Sequence, residues 1–569
     1  MPYHCPRKLP DMRRKLQLIC CLILACAPYA SAQEYGLVET VMTLLGVTEE
    51  ESLDDAALEP FERLATHPLP INSAPMSRME SCGLFSQYQI ASLADYRQRN
   101  GDVLSFEELG TVPGFPREYV KALRLFITLE PHALPGTGVT HSRPLSIESR
   151  TAVRKDGVIP RVKASYGYGE GFGAAVAISP GKRNFSLSYD GRGVMERLVV
   201  GDFNARFGQG LALWSGMTMA GISAPVSAAR RPSGLSAATA YSDTGLRGVA
   251  SVLSGGRFAL TALAAFPWLR TVMDGNQAEH FSMIPAMNLR MRTRDAQFSL
   301  TGMTRLEEGC EYARVSADWR FCLRGIDGAG EVASDLMTGK CAAIALVSFP
   351  MLKHRMAVQG RWYQTAYPKE FNGAWRSTTY ATDEAGMMLS FGDAERVYGA
   401  DLSRKLSTGR MQLKLLVTDR FAITDRLSVK PRINCRFRTE GEKPRTDIRT
   451  DWIWSPSDWS NVLRINWLHC KGDAWMAYSE TSYRHGNLAL HLRAMVYRVD
   501  NWDDRIYAYE RGVPGSFSIP ALYGRGWRLN FAASWKTALW KGRLKLYASG
   551  YLTGKRGKAA LEASLVYEL

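Results

Sequence analysis

Few residues of this 569-residue chain are spaced for catalysis, and each group that invites chemistry also has a structural reading. Gly169-Glu170-Gly171 followed by Ala174 spells GxGxxA, but alternating sequence flanks it and no helical pattern follows. A dinucleotide site needs a helix to start after its glycines, so this string reads as a hairpin turn. The chain has no GK[ST] phosphate loop, no HExxH and no GxSxG. His485 or His491 with Asp500, Asp503 or Asp504 would offer a base and an acid to a hydrolase assembled from separate strands. Loop and lumen polarity explains the same residues equally well, so no enzyme and no catalytic residue is expected. Six cysteines follow residue 32 (Cys82, Cys310, Cys322, Cys341, Cys435 and Cys470), widely spaced and without a CxxC pair. That pattern implies no metal and no cofactor, and Cys310 with Cys322 is the one close pair for a disulfide.

A further stretch, Val199 to Leu211, holds Gly201, Asp202, Arg206, Gly208, Gln209 and Gly210. Glycines inside a strand pattern suit a bend or a close backbone approach. Asp202 and Arg206 are spaced either for an inward ion pair or for a turn.

The elements that must position these residues fall into two unlike parts. Residues 33–131 carry 7 Lys/Arg against 16 Asp/Glu, whereas residues 132–569 carry 59 against 38. Ahead of both, Arg13-Arg14-Lys15, an apolar Leu16–Ala25 core and Ala30-Ser31-Ala32 read as a signal peptide over residues 1–32. Ile23-Leu24-Ala25 before Cys26 is the rival lipidation reading. In either case the chain leaves the cytoplasm.

From Leu145 the hydrophobic period changes to two. Trp527, Leu529, Phe531, Ala533 and Trp535 alternate with Arg528, Asn530, Ala532 and Ser534, and Met411, Leu413, Leu415 and Val417 alternate with Arg410, Gln412, Lys414 and Thr418. Such runs, about nine to twelve residues long between Gly-, Asp- or Ser-containing turns, match tilted membrane-spanning strands. Trp452, Trp454, Trp459 and Trp467 bracket one turn and Trp535 and Trp540 another, as interfacial girdles do. The fold class expected is therefore mainly β: an antiparallel transmembrane β-barrel of roughly 18–24 strands over residues 145–569. Register is ambiguous at 205–240 and 365–385. A linker spans 132–144, and a small all-α domain spans 33–131.

In that head, Val38–Leu45 and Leu58–Leu64 have helical spacing, and His67-Pro68-Leu69-Pro70 breaks the pattern. Residues 71–129 then resemble the paired helix-hairpin-helix module of ComEA-like competence proteins. The matching segments are Ile71-Asn72-Ser73-Ala74, Gln89-Ile90-Ala91, Asp95-Tyr96-Arg97, Asn100-Gly101, Ser105 to Leu109, Val112-Pro113-Gly114-Phe115 and Ile127-Thr128-Leu129. The resemblance implies DNA binding through hairpin N–H groups that meet phosphates. Here the first hairpin reads Leu84-Phe85-Ser86, with both glycines lost. The second, Gly114-Phe115-Pro116, keeps one glycine, and its proline removes a donor. Residues 69–127 balance 6 basic against 6 acidic side chains, whereas phosphate affinity needs a cationic excess. Together with Tyr509-Glu510, Ser516-Phe517 and Gly524-Arg525-Gly526, the Val199–Leu211 stretch is similar to Gram-negative outer-membrane proteins that join a ComEA-like head to a barrel. That resemblance implies a fold and a location rather than a mechanism.

The expected function is an outer-membrane barrel with a periplasmic or luminal plug or adaptor, acting in transport or envelope assembly. The alternatives are a DNA-uptake protein and a barrel-embedded hydrolase. Expected partners are outer-membrane lipid and lipopolysaccharide, then a periplasmic protein, with nucleic acid less favoured. The basic barrel would draw anions, either at its rim or in its lumen.

Overall fold

The computed structural model describes residues 37–47, 55–130 and 145–569, apart from residues 67, 75, 116, 156, 169–170, 192, 217–220, 240, 242–244, 276–279, 294, 308, 394, 440–442, 457 and 555–557. The signal peptide, Cys26, the 132–144 linker and Pro116 lie outside the described residues.

Period-two sequence produces a closed barrel of 24 spanning strands, antiparallel throughout. The first strand, Leu145–Arg154, pairs with the last, Ala559–Glu568, so that no edge is left open. Two short strands, Gly234–Ala237 and Phe421–Ala422, add to the sheet without spanning it. The alternation sorts side chains as lipid and lumen require. On neighbouring strands Met287, Leu289, Phe298 and Leu300 are half exposed on the outer face, while Asn288, Ser299 and Thr301 are buried inside. Trp452, Trp454 and Trp459 are exposed beside the 454–459 turn. An apolar belt of this extent is a lipid-facing surface, because soluble proteins do not expose such patches.

The two rims differ. Short connections fill the rim that holds Leu145 and Leu569. The opposite rim carries the long segments 207–245, 266–281, 364–383 and 500–523. The two regions with ambiguous register fall largely in the first and third of these. They are connections, which explains why no spanning period could be read there. Cys310 and Cys322 lie near opposite ends of one strand, Cys310–Leu323. At about 3.3 Å per residue an extended strand holds them tens of ångströms apart. A disulfide between this one close pair is therefore excluded by geometry, and Cys322 is a free thiol. The strands Gly157–Tyr168 and Phe172–Ser179 that flank the GxGxxA string pair antiparallel, with Ala174 on the second, and Gly169 and Glu170 lie outside the described residues.

The head is helical, with helices Leu37–Leu45, Asp55–Thr66, Met76–Ser81, Gln87–Asn100, Phe106–Leu109 and Arg117–Leu123. Leu44, Ile71, Met79, Leu84, Leu93, Leu123 and Phe126 are fully buried in one core. Leu69–Pro70 pairs in parallel with Ile127–Thr128 and ties the ends of the unit together. Buried Asn72 fastens the middle: its side chain donates to the Val103 carbonyl and accepts from the Val103 N–H, both at 3.0 Å. Ser86 caps the helix Gln87–Asn100 in a reciprocal capping box with Gln89, an arrangement that satisfies two terminal donors.

Candidate luminal site

The Val199–Leu211 stretch starts on the strand Met195–Arg206 and ends in the first long segment. Asp202 is buried in the wall, where Arg247 Nε at 2.8 Å and Arg270 Nη2 at 2.7 Å share its Oδ1. Its Oδ2 accepts the Phe185 N–H at 2.8 Å. Of the two readings of Asp202 and Arg206, the inward ion pair does not form, because Asp202 is held by Arg247 and Arg270. Arg206 instead donates to the Ser215 carbonyl at 3.0 Å and lies over Trp214. Strand geometry explains the difference: the side chain of Asp202 meets residues on neighbouring strands, and Arg247 is its cross-strand partner.

Gly208 and Gly210 take φ of +58° and +89°. A Cβ on Gly208 would stand 2.6 Å from a Glu331 carboxylate oxygen, and one on Gly210 would stand 2.9 Å from the Gly373 backbone. That close approach lets the N–H groups of Gln209, Leu211 and Ala212 donate to Glu331 at 2.6, 2.9 and 3.2 Å. Gln209 Oε1 accepts the Arg230 N–H at 2.9 Å, and the Gly210 carbonyl accepts the Gly373 N–H at 2.8 Å. Arg314 and Arg320 donate to the Ala212 and Gly208 carbonyls, each at 3.0 Å. The glycines therefore make a hub that pins segments 207–245 and 364–383 to the inner wall. Its anchor, Glu331, went unread in the sequence; the available signal was an acid at an inward strand position.

The head meets these inward segments. Glu80 binds Arg290 at 3.4 Å and also Arg292, which share the inward phase of buried Asn288. Arg231 donates to the Leu84 carbonyl at 2.7 Å and to Ser227 Oγ at 3.0 Å. The Ala224 N–H donates to the Gly46 carbonyl at 3.1 Å, beside a Val47–Ser223 bridge. Glu62 accepts the Gly515 N–H at 2.7 Å, and Tyr509 and Phe517 pack on the head's core.

The described residues of the two predicted hairpins pack against the head or bond within it. Leu84, Phe85 and Phe115 are buried in the head, with the two phenylalanine rings 6.0 Å apart. The Leu84 carbonyl also accepts from Tyr119, the Ser86 N–H donates to Gln89 Oε1 at 2.8 Å, and the Gly114 carbonyl accepts from Gln89 Nε2 at 2.8 Å. Burial pushes the Cys82 thiol, beside the first hairpin, up to about 12.

The residues considered for a hydrolase are not brought together. His485 meets Asp458 at 2.8 Å and His491 meets Ser482 at 2.6 Å. Asp500 pairs with Arg498 and Arg525, Asp503 pairs with Lys471, and Asp504 accepts the Lys471 and Gly472 N–H groups. Among the described residues no cluster of His, Cys, Asp and Glu is arranged to hold a metal ion.

Between head and wall lies a cavity of about 980 Å³, bounded by Leu37, Phe61 and Leu64 on the head and by Glu148, Lys163 and Lys545 on the barrel. No protein-family model and no curated protein matches the chain. Among solved structures it is similar to Pseudomonas aeruginosa OprD, at 6% identity and a TM-score of 0.30 over 76% of this chain and 94% of that one. Pseudomonas aeruginosa OccK5 (OpdH) is similar at 9% identity and a TM-score of 0.29, over 55% and 95% of the two chains. Likeness this slight bears on neither solute nor mechanism, and the architecture rests on the strand pairing itself.

Proposed function

We propose that this chain is an outer-membrane β-barrel of transport, without enzymatic activity, whose helix-hairpin-helix head acts as a luminal plug. The observation that carries the reading is Glu80, an acid of the head held by the lumen-facing Arg290 and Arg292. The opposite net charges of head and barrel favour the same docking. The lipid-facing belt supports a membrane location, and the export signal read in residues 1–32 supports the outer membrane. A first hairpin packed into the head and bonded to the barrel's own Arg231 argues against a phosphate-binding role.

Planar-bilayer recording tests the plug. The chain lacking residues 33–131 should show larger and steadier conductance than the full chain. Equal conductance from two folded barrels rejects the plug.

A further inference from the structure

Outward positions on the neighbouring strands Leu488–Val499 and Gly524–Leu539 form a ladder against lipid. Its rungs include Leu488 with Trp535, Leu492 with Phe531, Ala494 with Leu529 and Val496 with Trp527. The next rung breaks the apolar run, because Arg498 stands directly opposite Arg525. Like charges at directly opposed positions destabilise a sheet. Arg404, another exposed arginine on the outer face near the same rim, faces Ala385 and Met411 instead.

Counter-charge at the pair is short. Asp500 meets the Nε of Arg498 and the Nε of Arg525, each at 3.0 Å. Among the described residues it is the one carboxylate that pairs with either arginine. Asp473, on the strand Asp473–His485, turns to His469 at 2.9 Å. The two arginine side chains are 49% and 66% exposed, so much of each guanidinium is open to a ligand.

Depth decides which ligand can reach them. Trp535, near the exposed Trp540 of the short-turn rim, is ten residues from Arg525 on one strand. Ten residues cover about 33 Å along a strand, or about 25 Å along the barrel axis at a tilt of about 40°. That is the height of a barrel's apolar band, so the arginines sit at its far edge. Exposed Trp475 stands opposite Arg498, and exposed Trp467 opposite Trp475, in the same row around the barrel. Tryptophans gather at the headgroup level. This is the rim of the long segments, and outer-membrane barrels keep long loops outside and short turns in the periplasm.

We propose that Arg498 and Arg525 clamp a phosphate on the headgroup of an outer-leaflet lipid, the lipid A part of lipopolysaccharide. Guanidinium forks bind phosphate oxygens in bidentate pairs, and an anion between opposed cations removes their repulsion. The occupant is a lipid rather than free phosphate because the apolar ladder of Val496, Trp527 and Leu529 ends at the pair. A headgroup with acyl chains is held by both. The site rests on the membrane location and is independent of the plug.

Native mass spectrometry of the full chain in neutral detergent tests it with three probes: bisphosphorylated lipid A, the same lipid A dephosphorylated, and inorganic phosphate. The phosphorylated lipid should be retained and the dephosphorylated one lost, and millimolar inorganic phosphate should not displace it. Arg498→Gln and Arg525→Gln should each weaken retention about tenfold, and together about a hundredfold, as lost charge-assisted hydrogen bonds do. Arg498→Lys, which keeps the charge, should keep part of the binding, and Arg404→Gln should change nothing. Heat-modifiable migration on gels confirms that each variant barrel is folded. Its transition temperature should rise with lipid A in the wild type and stay fixed in the double Gln variant. Equal retention of both lipids, displacement by inorganic phosphate, unchanged affinity in the folded double variant, or an equal loss in Arg404→Gln overturns the proposal. Density fractionation of cell envelopes scores location separately. A chain away from the outer membrane rejects the location, whereas a chain in it without phosphate preference rejects the site alone.

Discussion

The plug reading makes Glu80 the residue whose charge holds the head in place. Its carboxylate is 12% exposed and faces Arg290 and Arg292, themselves 23% and 24% exposed. An exposed ion pair contributes about 0.2–1 kcal/mol, and breaking a fully buried one costs about 3–5 kcal/mol. A partly buried acid shared by two arginines falls between these limits, at about 1–3 kcal/mol. Glu80→Gln removes that attraction, and since about 1.4 kcal/mol is a factor of ten, undocking should rise about tenfold. Glu80→Lys adds repulsion of similar size and should raise it about a hundredfold. Single-channel recording of the full chain reads this as more frequent and longer openings, and protease access to residues 55–130 reads it independently. Glu80→Lys with Arg290→Glu and Arg292→Glu should restore wild-type behaviour, and high salt should move the wild type toward the Gln variant. The reasoning fails if a folded Glu80→Lys barrel shows wild-type openings and wild-type protection.

Three further outcomes follow from the luminal geometry. Gly208→Ala and Gly210→Ala force positive φ on a residue with a Cβ and press it against Glu331 or the Gly373 backbone, so each should cost about 1–3 kcal/mol and expose segment 207–245 to protease. Asp202→Asn leaves buried Arg247 short of its counter-charge and should destabilise the barrel by about 3–5 kcal/mol, measured as a lower gel-shift temperature. Cys82, held protonated by burial up to about 12, should resist maleimide at pH 8 when peptides are followed by mass spectrometry. In Glu80→Lys its labelling should speed up as the head leaves the lumen, and equal rates in both proteins would contradict the docking.

The sequence by itself determined the barrel, because the sorting of side chains between lipid and lumen is local. Trp527, Leu529 and Phe531 face outward for the same reason that Arg528 and Asn530 do not: successive residues of a strand point to opposite faces. Helical spacing in Val38–Leu45 and Leu58–Leu64 likewise marked the head as helical, whereas the capping of Gln87–Asn100 by Ser86 was seen only in the structure. Within the candidate site, the glycines of the Val199–Leu211 stretch were legible as places of close approach. Their partners were not. Asp202 and Arg247 are 45 residues apart, Gln209 and Glu331 are 122, and Glu80 and Arg290 are 210. Period-two alternation says that a charge points inward but not which inward charge of another strand or loop it meets. Segments 207–245 and 364–383 carry no period at all, because they fold against the inner wall rather than span the bilayer. Only tertiary structure decided that the wall's arginines hold loops and head together, since those contacts depend on barrel closure and on what fills the lumen.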